Sequence, residues 1–143
     1  MRIHVRAPYE RIFALAADVE RWPALLPHYR YVRAVPDPNG ERRFAMGASR
    51  GRIPISWEAV QRPLPGERRI EFVHTRGVTR GMHVAWRFEP MGEAWDVSIH
   101  HQLDLGWPLI GGFAASRVIG PHFIDAIAGR TLRRVKALAE AGA

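Results

Sequence analysis

The spacing of the apolar residues changes twice along this chain, and that change constrains its fold more than any motif does. Tyr9, Ile12, Phe13, Ala16 and Val19, with Trp22 as the candidate last member, recur at helical spacing. From about residue 29 to 105 the spacing becomes alternating, as expected of strands that bury one face. It returns to helical between Pro108 and Ala141, through Leu109, Phe113, Ile119, Phe123, Ile127, Leu132, Val135 and Leu138. A short alternating stretch, Arg2 to Ala7, precedes the first helix. The predicted order is strand, helix or helix pair, about six strands, long helix: an α+β domain with an antiparallel sheet covered on one face.

Local signals punctuate this order. Pro8 suits a first helical turn, whereas Pro23 and Pro27 are expected to break the helix and leave Ala24-Leu25-Leu26 as a turn or second helix. Turn signals at Pro36-Asp37-Pro38-Asn39-Gly40, Pro63-Leu64-Pro65-Gly66, Arg76-Gly77 and Pro90-Met91-Gly92 divide the alternating region into hairpins. Its clearest strands run from Met82 to Phe88 and from Trp95 to Leu105. Gly120-Pro121 is expected to kink or divide the last helix, whose outer face carries Arg130, Arg133, Arg134 and Lys136.

Composition removes several function classes. A chain of 143 residues, 47% hydrophobic, fits one domain spanning 1–143. It has no cysteine, so disulfides, thiolate metal sites and cysteine nucleophiles are excluded. No apolar run approaches the length of a membrane span, and Met1-Arg2-Ile3-His4 lacks a signal core, so a cytoplasmic location is expected. The net charge of +7 raises an acidic partner, but Lys136 is the sole lysine among 21 cationic side chains, a pattern that also fits a GC-rich genome. The arginines form no clusters interleaved with aromatics, so no nucleic-acid partner is expected. No metal is expected either, because the rings of His100 and His101 diverge in a strand and no histidine pair has i, i+4 spacing. Phosphate-loop and serine-elbow motifs are missing, and no cofactor is expected.

Polar residues on apolar faces supply the site candidates. His101 stands between Ile99 and Leu103 on the face assigned to the interior, and an imidazole titrates where proton transfer near neutral pH needs it. His74 follows Ile70 and Phe72 at the same parity. Val84 and Trp86 share a face with Met82 and Phe88, and Trp86 would stack on an aromatic ligand. Phe113, Ile119 and Phe123 line the helix side. For each of these, ordinary core packing is the alternative.

Ala7-Pro8-Tyr9-Glu10-Arg11-Ile12-Phe13, Trp22-Pro23 and Pro108-Leu109-Ile110-Gly111-Gly112-Phe113, in this order of elements, resemble the helix-grip superfamily of START-like and birch-pollen-allergen-like domains. The closer resemblance is to its polyketide cyclase/dehydrase and coenzyme Q-binding branch. It implies a helix-grip fold, in which a curved antiparallel sheet of about seven strands wraps a long C-terminal helix, with one or two short helices after the first strand. It also implies an apolar cavity between sheet and helix. The partner it implies is a hydrophobic small molecule, polyketide- or lipid-like, with an acyl carrier protein as a further candidate; the expected state is a monomer or weak dimer. The activity implied is cyclisation, aromatisation or dehydration of a polyketide, and the alternative is a non-catalytic lipid or quinone carrier.

Aromatase/cyclases of this branch carry a pocket tyrosine after their Trp-Pro and an arginine at a strand end before a proline-containing turn. Tyr29 after Trp22-Pro23, and Arg62 within Gln61-Arg62-Pro63-Leu64-Pro65, occupy the similar positions. By that resemblance Arg62 holds or polarises a poly-β-keto chain and Tyr29 assists proton transfer, with His101 as acid or base. Strand alternation opposes the placement of Arg62, because Ile53, Ile55, Trp57 and Ala59 form the apolar face and a bulge near Val60 is required to turn Arg62 inward.

Overall fold

A computed structural model describes residues 1–77, 79–102 and 121–142, and for residues 121–123 the backbone alone. The strands are β1 (Arg2–Val5), β2 (Tyr29–Val35), β3 (Arg42–Arg50), β4 (Ile53–Leu64), β5 (Arg69–Gly77), β6 (His83–Met91) and β7 (Ala94–Gln102). They form one curved antiparallel sheet in the order β1-β7-β6-β5-β4-β3-β2. All neighbours except β1 and β7 are consecutive in the chain, as hairpin connections require. Because β1 and β2 lie at opposite edges, the segment between them must cross the sheet. It does so as helix α1 (Tyr9–Ala17), a 3₁₀ turn (Val19–Arg21) and the short helix α2 (Trp22–Leu25). The long C-terminal helix α3 (Pro121–Glu140) packs against β1, β3, β7 and α1. The predicted helical stretch from Pro108 to Gly120, and Leu103 and Leu105 of the predicted last strand, lie outside the described residues.

Trp22 opens the second helix instead of closing the first. Pro23 sits in the first turn of α2, where its missing N–H would have no intrahelical partner in any case. The Trp22 indole donates to the Leu15 carbonyl at 3.0 Å, which ties the two helices together. Ile12 from α1, Leu26 just after α2, Val5, Met46, Ile70, Phe88 and Val97 from the strands, and Val135 from α3 meet in one fully buried core.

The sheet does contain a bulge at the predicted place, but in the neighbouring strand. Glu58 pairs with Arg76 whereas Ala59 pairs with His74, so Thr75 of β5 is the extra residue. The parity of β4 is therefore unbroken. Ile55, Ala59 and Gln61 are buried, while Arg62 is exposed.

Candidate functional site

Between the concave face of the sheet and α3 lies a pocket of about 80 Å³. Its walls follow from the alternation of the strands. Trp22 of α2, Tyr29 of β2, Trp57 of β4, Phe72 of β5 and Trp86 of β6 supply aromatic rings. Met46, Ile55, Met82, Val84 and Ile99 fill the spaces between them, and Ile124, Ile127, Ala128 and Thr131 close the helix side. The Trp22 ring centroid lies 4.8 Å from that of Tyr29 and 6.0 Å from that of Trp86. Tyr29 in turn meets Trp57 at 6.1 Å, edge-on.

Two imidazoles enter this apolar setting. The ring of His74 stacks on Trp57, with centroids 5.5 Å apart and planes within 5°. Its Nδ1 lies 2.7 Å from the Thr79 hydroxyl. Burial, helped by the like charges of His101 and His83, lowers its pKa to about 3, so the ring is neutral at physiological pH. His101 lies on the same wall and is half-buried. Burial lowers its pKa too, against an opposing pull from Asp125. Tyr29 is shifted in the opposite sense. Burial raises the pKa of its phenol, a hydrogen bond with Thr131 partly offsets this, and the group stays protonated at neutral pH.

Of the residues singled out from the sequence, Tyr29, His74, Val84, Trp86, Ile99 and His101 come together on this pocket. Arg62 does not, and its expected inward placement is corrected here. Its guanidinium lies on the outer side of β4, where Nη2 and Nε donate to Glu41 Oε1 at 2.9 and 3.2 Å. The inward neighbour is Gln61, which binds the chain to itself and not the pocket. Phe113 and Ile119 lie outside the described residues, as does the side chain of Phe123.

Three polar residues escaped the sequence. Thr79 falls between the predicted Arg76-Gly77 turn and the strand from Met82, and His28 in the proline-bounded approach to β2, where no periodicity marks an inward residue. Thr131 carried a usable signal, because it stands four residues from both Ile127 and Val135 on the apolar stripe of α3. His28 Nε2 lies 2.8 Å from the Thr131 hydroxyl. Burial and the charges of Arg130 and Arg133 lower the His28 pKa to about 4.

The same arrangement of a curved sheet around a C-terminal helix occurs in known proteins. Residues 5–119 match the model of the family described as polyketide cyclase / dehydrase and lipid transport. The chain belongs to this family. A granaticin polyketide synthase bifunctional cyclase/dehydratase of Streptomyces violaceoruber is 27% identical over 98% of the chain. The match covers 43% of that relative, so the chain spans less than half its length. The solved structure of the di-domain ARO/CYC StfQ from the steffimycin biosynthetic pathway has a TM-score of 0.74 at 18% identity, covering 99% of this chain and 44% of that one. An aromatase/cyclase from Streptomyces sp. R1128, Zhui, gives the same TM-score at 15% identity over 98% and 91% of the two chains. A START superfamily protein from Mycobacterium smegmatis has a TM-score of 0.60 at 16% identity over 96% of both. These likenesses place this polyketide cyclase/dehydrase family member in the START-like fold. Among the described residues no helix is long and apolar enough to cross a membrane.

Proposed function

We propose that the pocket takes a hydrophobic or aromatic small molecule, polyketide- or lipid-like, and that the chain promotes its cyclisation, aromatisation or dehydration. The observation that carries this reading is the gathering of five aromatic rings and two neutral imidazoles on one pocket between sheet and helix. Flat apolar walls hold an unsaturated skeleton by stacking and area burial. Aldol-type ring closure and loss of water need a group that gives and takes a proton, and His101 has the chemistry for both. Tyr29, on the adjoining wall, assists. The test is His101→Ala assayed with a poly-β-ketone mimic. A changed product distribution or a rate lower by at least about tenfold is expected, and an unchanged distribution and rate would reject the catalytic role.

The exposure of Arg62 favours a second reading. With that guanidinium paired to Glu41 outside the sheet, the cation expected to polarise a poly-β-keto chain is not among the described lining residues. A carrier of lipids or quinones needs only the pocket. Mass spectrometry of ligand retained through native purification separates the two: a prenyl quinone or lipid supports the carrier, an aromatic polyketide the cyclase.

A further inference from the structure

We propose that His74 is the pocket's hydrogen-bond donor to a ligand ketone: Thr79 holds its imidazole with Nε2–H open to the pocket, where it takes the carbonyl oxygen and the enolate oxygen formed from it. The inference rests on the reading above that the pocket takes a small aromatic molecule, and it gives that molecule an acceptor. His74 is 7% exposed. Trp57 fixes the plane of its ring, and Thr79 fixes its rotation through a hydroxyl 2.7 Å from Nδ1. A neutral imidazole carries a proton on one nitrogen and a lone pair on the other. Thr79 is 2% exposed, and among the described residues the His74 ring is the one hydrogen-bond partner of its hydroxyl. Were the ring proton on Nδ1, the threonine proton would be buried with no acceptor. The hydroxyl therefore donates to Nδ1, and the ring proton sits on Nε2.

Nε2 has no partner among the described residues, and Arg69 Nε is the only one of their buried side-chain nitrogens and oxygens without one. Nε2 thus keeps open surface, and the ring is part of the pocket wall. With Arg62 paired to Glu41 outside the sheet, this N–H supplies the polarising contact that the guanidinium does not. The step it serves is enolisation. His101, on the same wall, takes a proton from the carbon next to the carbonyl. The C–H electron pair becomes the new C=C bond, the C=O π pair moves to oxygen, and Nε2–H meets the negative charge that grows there. His101 holds the proton taken and returns it when carbon or oxygen is protonated again, while His74 stays neutral and keeps its own. Thr79 touches the ring alone and is a positioning residue. A CH2 group in place of the ligand oxygen would leave Nε2–H facing an apolar surface unpaired.

Two probes test this on the full chain at neutral pH: 2-acetonaphthone, and 2-isopropenylnaphthalene, which has CH2 where the ketone has oxygen. Nitrogen NMR of the free chain should show the His74 proton on Nε2. Infrared difference spectra of the bound ketone, labelled with carbon-13 at its carbonyl, should place the C=O stretch below its value in hexane, and His74→Phe should return it to that value. By calorimetry, the affinity of the ketone relative to the hydrocarbon should fall at least about fivefold in His74→Phe. Thr79→Val should shrink the C=O shift, whereas Thr79→Ser keeps that of the parent chain, as expected of a hydroxyl that positions the ring. A proton on Nδ1, a C=O stretch at its hexane value in the parent chain, or a stretch and an affinity ratio that survive His74→Phe each overturn the inference. If His74→Phe does not fold, the tautomer and the C=O stretch of the parent chain decide alone. Binding of neither probe would reject the pocket reading itself and this inference with it, a result distinct from binding of both with an unshifted carbonyl, which leaves that reading standing.

Discussion

Gln61 and Arg62 are adjacent in the chain and opposite in consequence. The Gln61 side chain, 2% exposed, donates through Nε2 to the Ala17 carbonyl at 2.8 Å and accepts from Arg42 Nε at 2.9 Å. It thereby fastens the last turn of α1 to β4. Gln61→Ala removes both bonds of a buried side chain and leaves the half-buried Ala17 carbonyl without its partner, so a loss of about 2 kcal/mol is expected in urea unfolding. Arg62→Ala removes an ion pair whose arginine side chain is 56% exposed, and the loss should stay below about 1 kcal/mol. Affinity for 2-acetonaphthone should be unchanged in Arg62→Ala, and a weakening of tenfold or more would return Arg62 to the site.

At the scale of elements, alternation gave the interior residues of β5, β6 and β7, because a strand has only two faces and one is covered. In β4 it stood against the inward Arg62 that the resemblance implied and left the face open, which the burial of Ile55, Ala59 and Gln61 settles. What it could not give is anything decided by a neighbouring strand. Pro63 reads as a turn residue, yet it lies within β4. Pairing with β3 stops at Gln61, so from that point β4 has a free edge on which a missing N–H costs no ladder bond. Arg76-Gly77 also reads as a turn, and Gly77 instead ends β5 beside the bulge with φ +97°. A Cβ there would stand 2.6 Å from the Ser56 carbonyl oxygen. Gly77→Ala therefore combines an unfavourable backbone angle with a backbone clash that no rotamer relieves. A loss of about 2 kcal/mol or more is expected, and a midpoint within experimental error of the parent chain would show that the strand end relaxes freely. The same bulge carries His74 and the loop that brings Thr79 to it, so the polar wall of the pocket depends on a feature with no sequence signature beyond one glycine.

Across the whole molecule the charge is sorted by type. Among the described residues no arginine is buried, whereas His28 and His74 are. The excess of cations thus speaks to the surface, and acid sensitivity belongs to the interior. In the unfolded chain a histidine takes up its proton near pH 6.5. In the folded chain His28 does so only at about 4 and His74 at about 3. Between those limits the unfolded state binds more protons than the folded state, so stability rises with pH. Their contribution is complete above about pH 6.5 and is lost as pH falls toward 4, at up to about 1.4 kcal/mol per pH unit for each histidine. His100 and His101, also lowered by burial, act in the same direction. Asp37 and Glu140 have lowered pKa values as well, but a carboxylate begins to cost stability only near its unfolded value of about 4 and below. The interval from pH 7 to 5 therefore isolates the histidines. Thermal unfolding followed over that interval should show the midpoint falling with acidification. The fall should be shallower in His28→Gln and in His74→Asn, with the remainder due to the other histidines and to rising net charge. A midpoint that holds steady or climbs from pH 7 to 5, or variants that track the parent chain, would mean that the two buried rings take up protons without opening the fold.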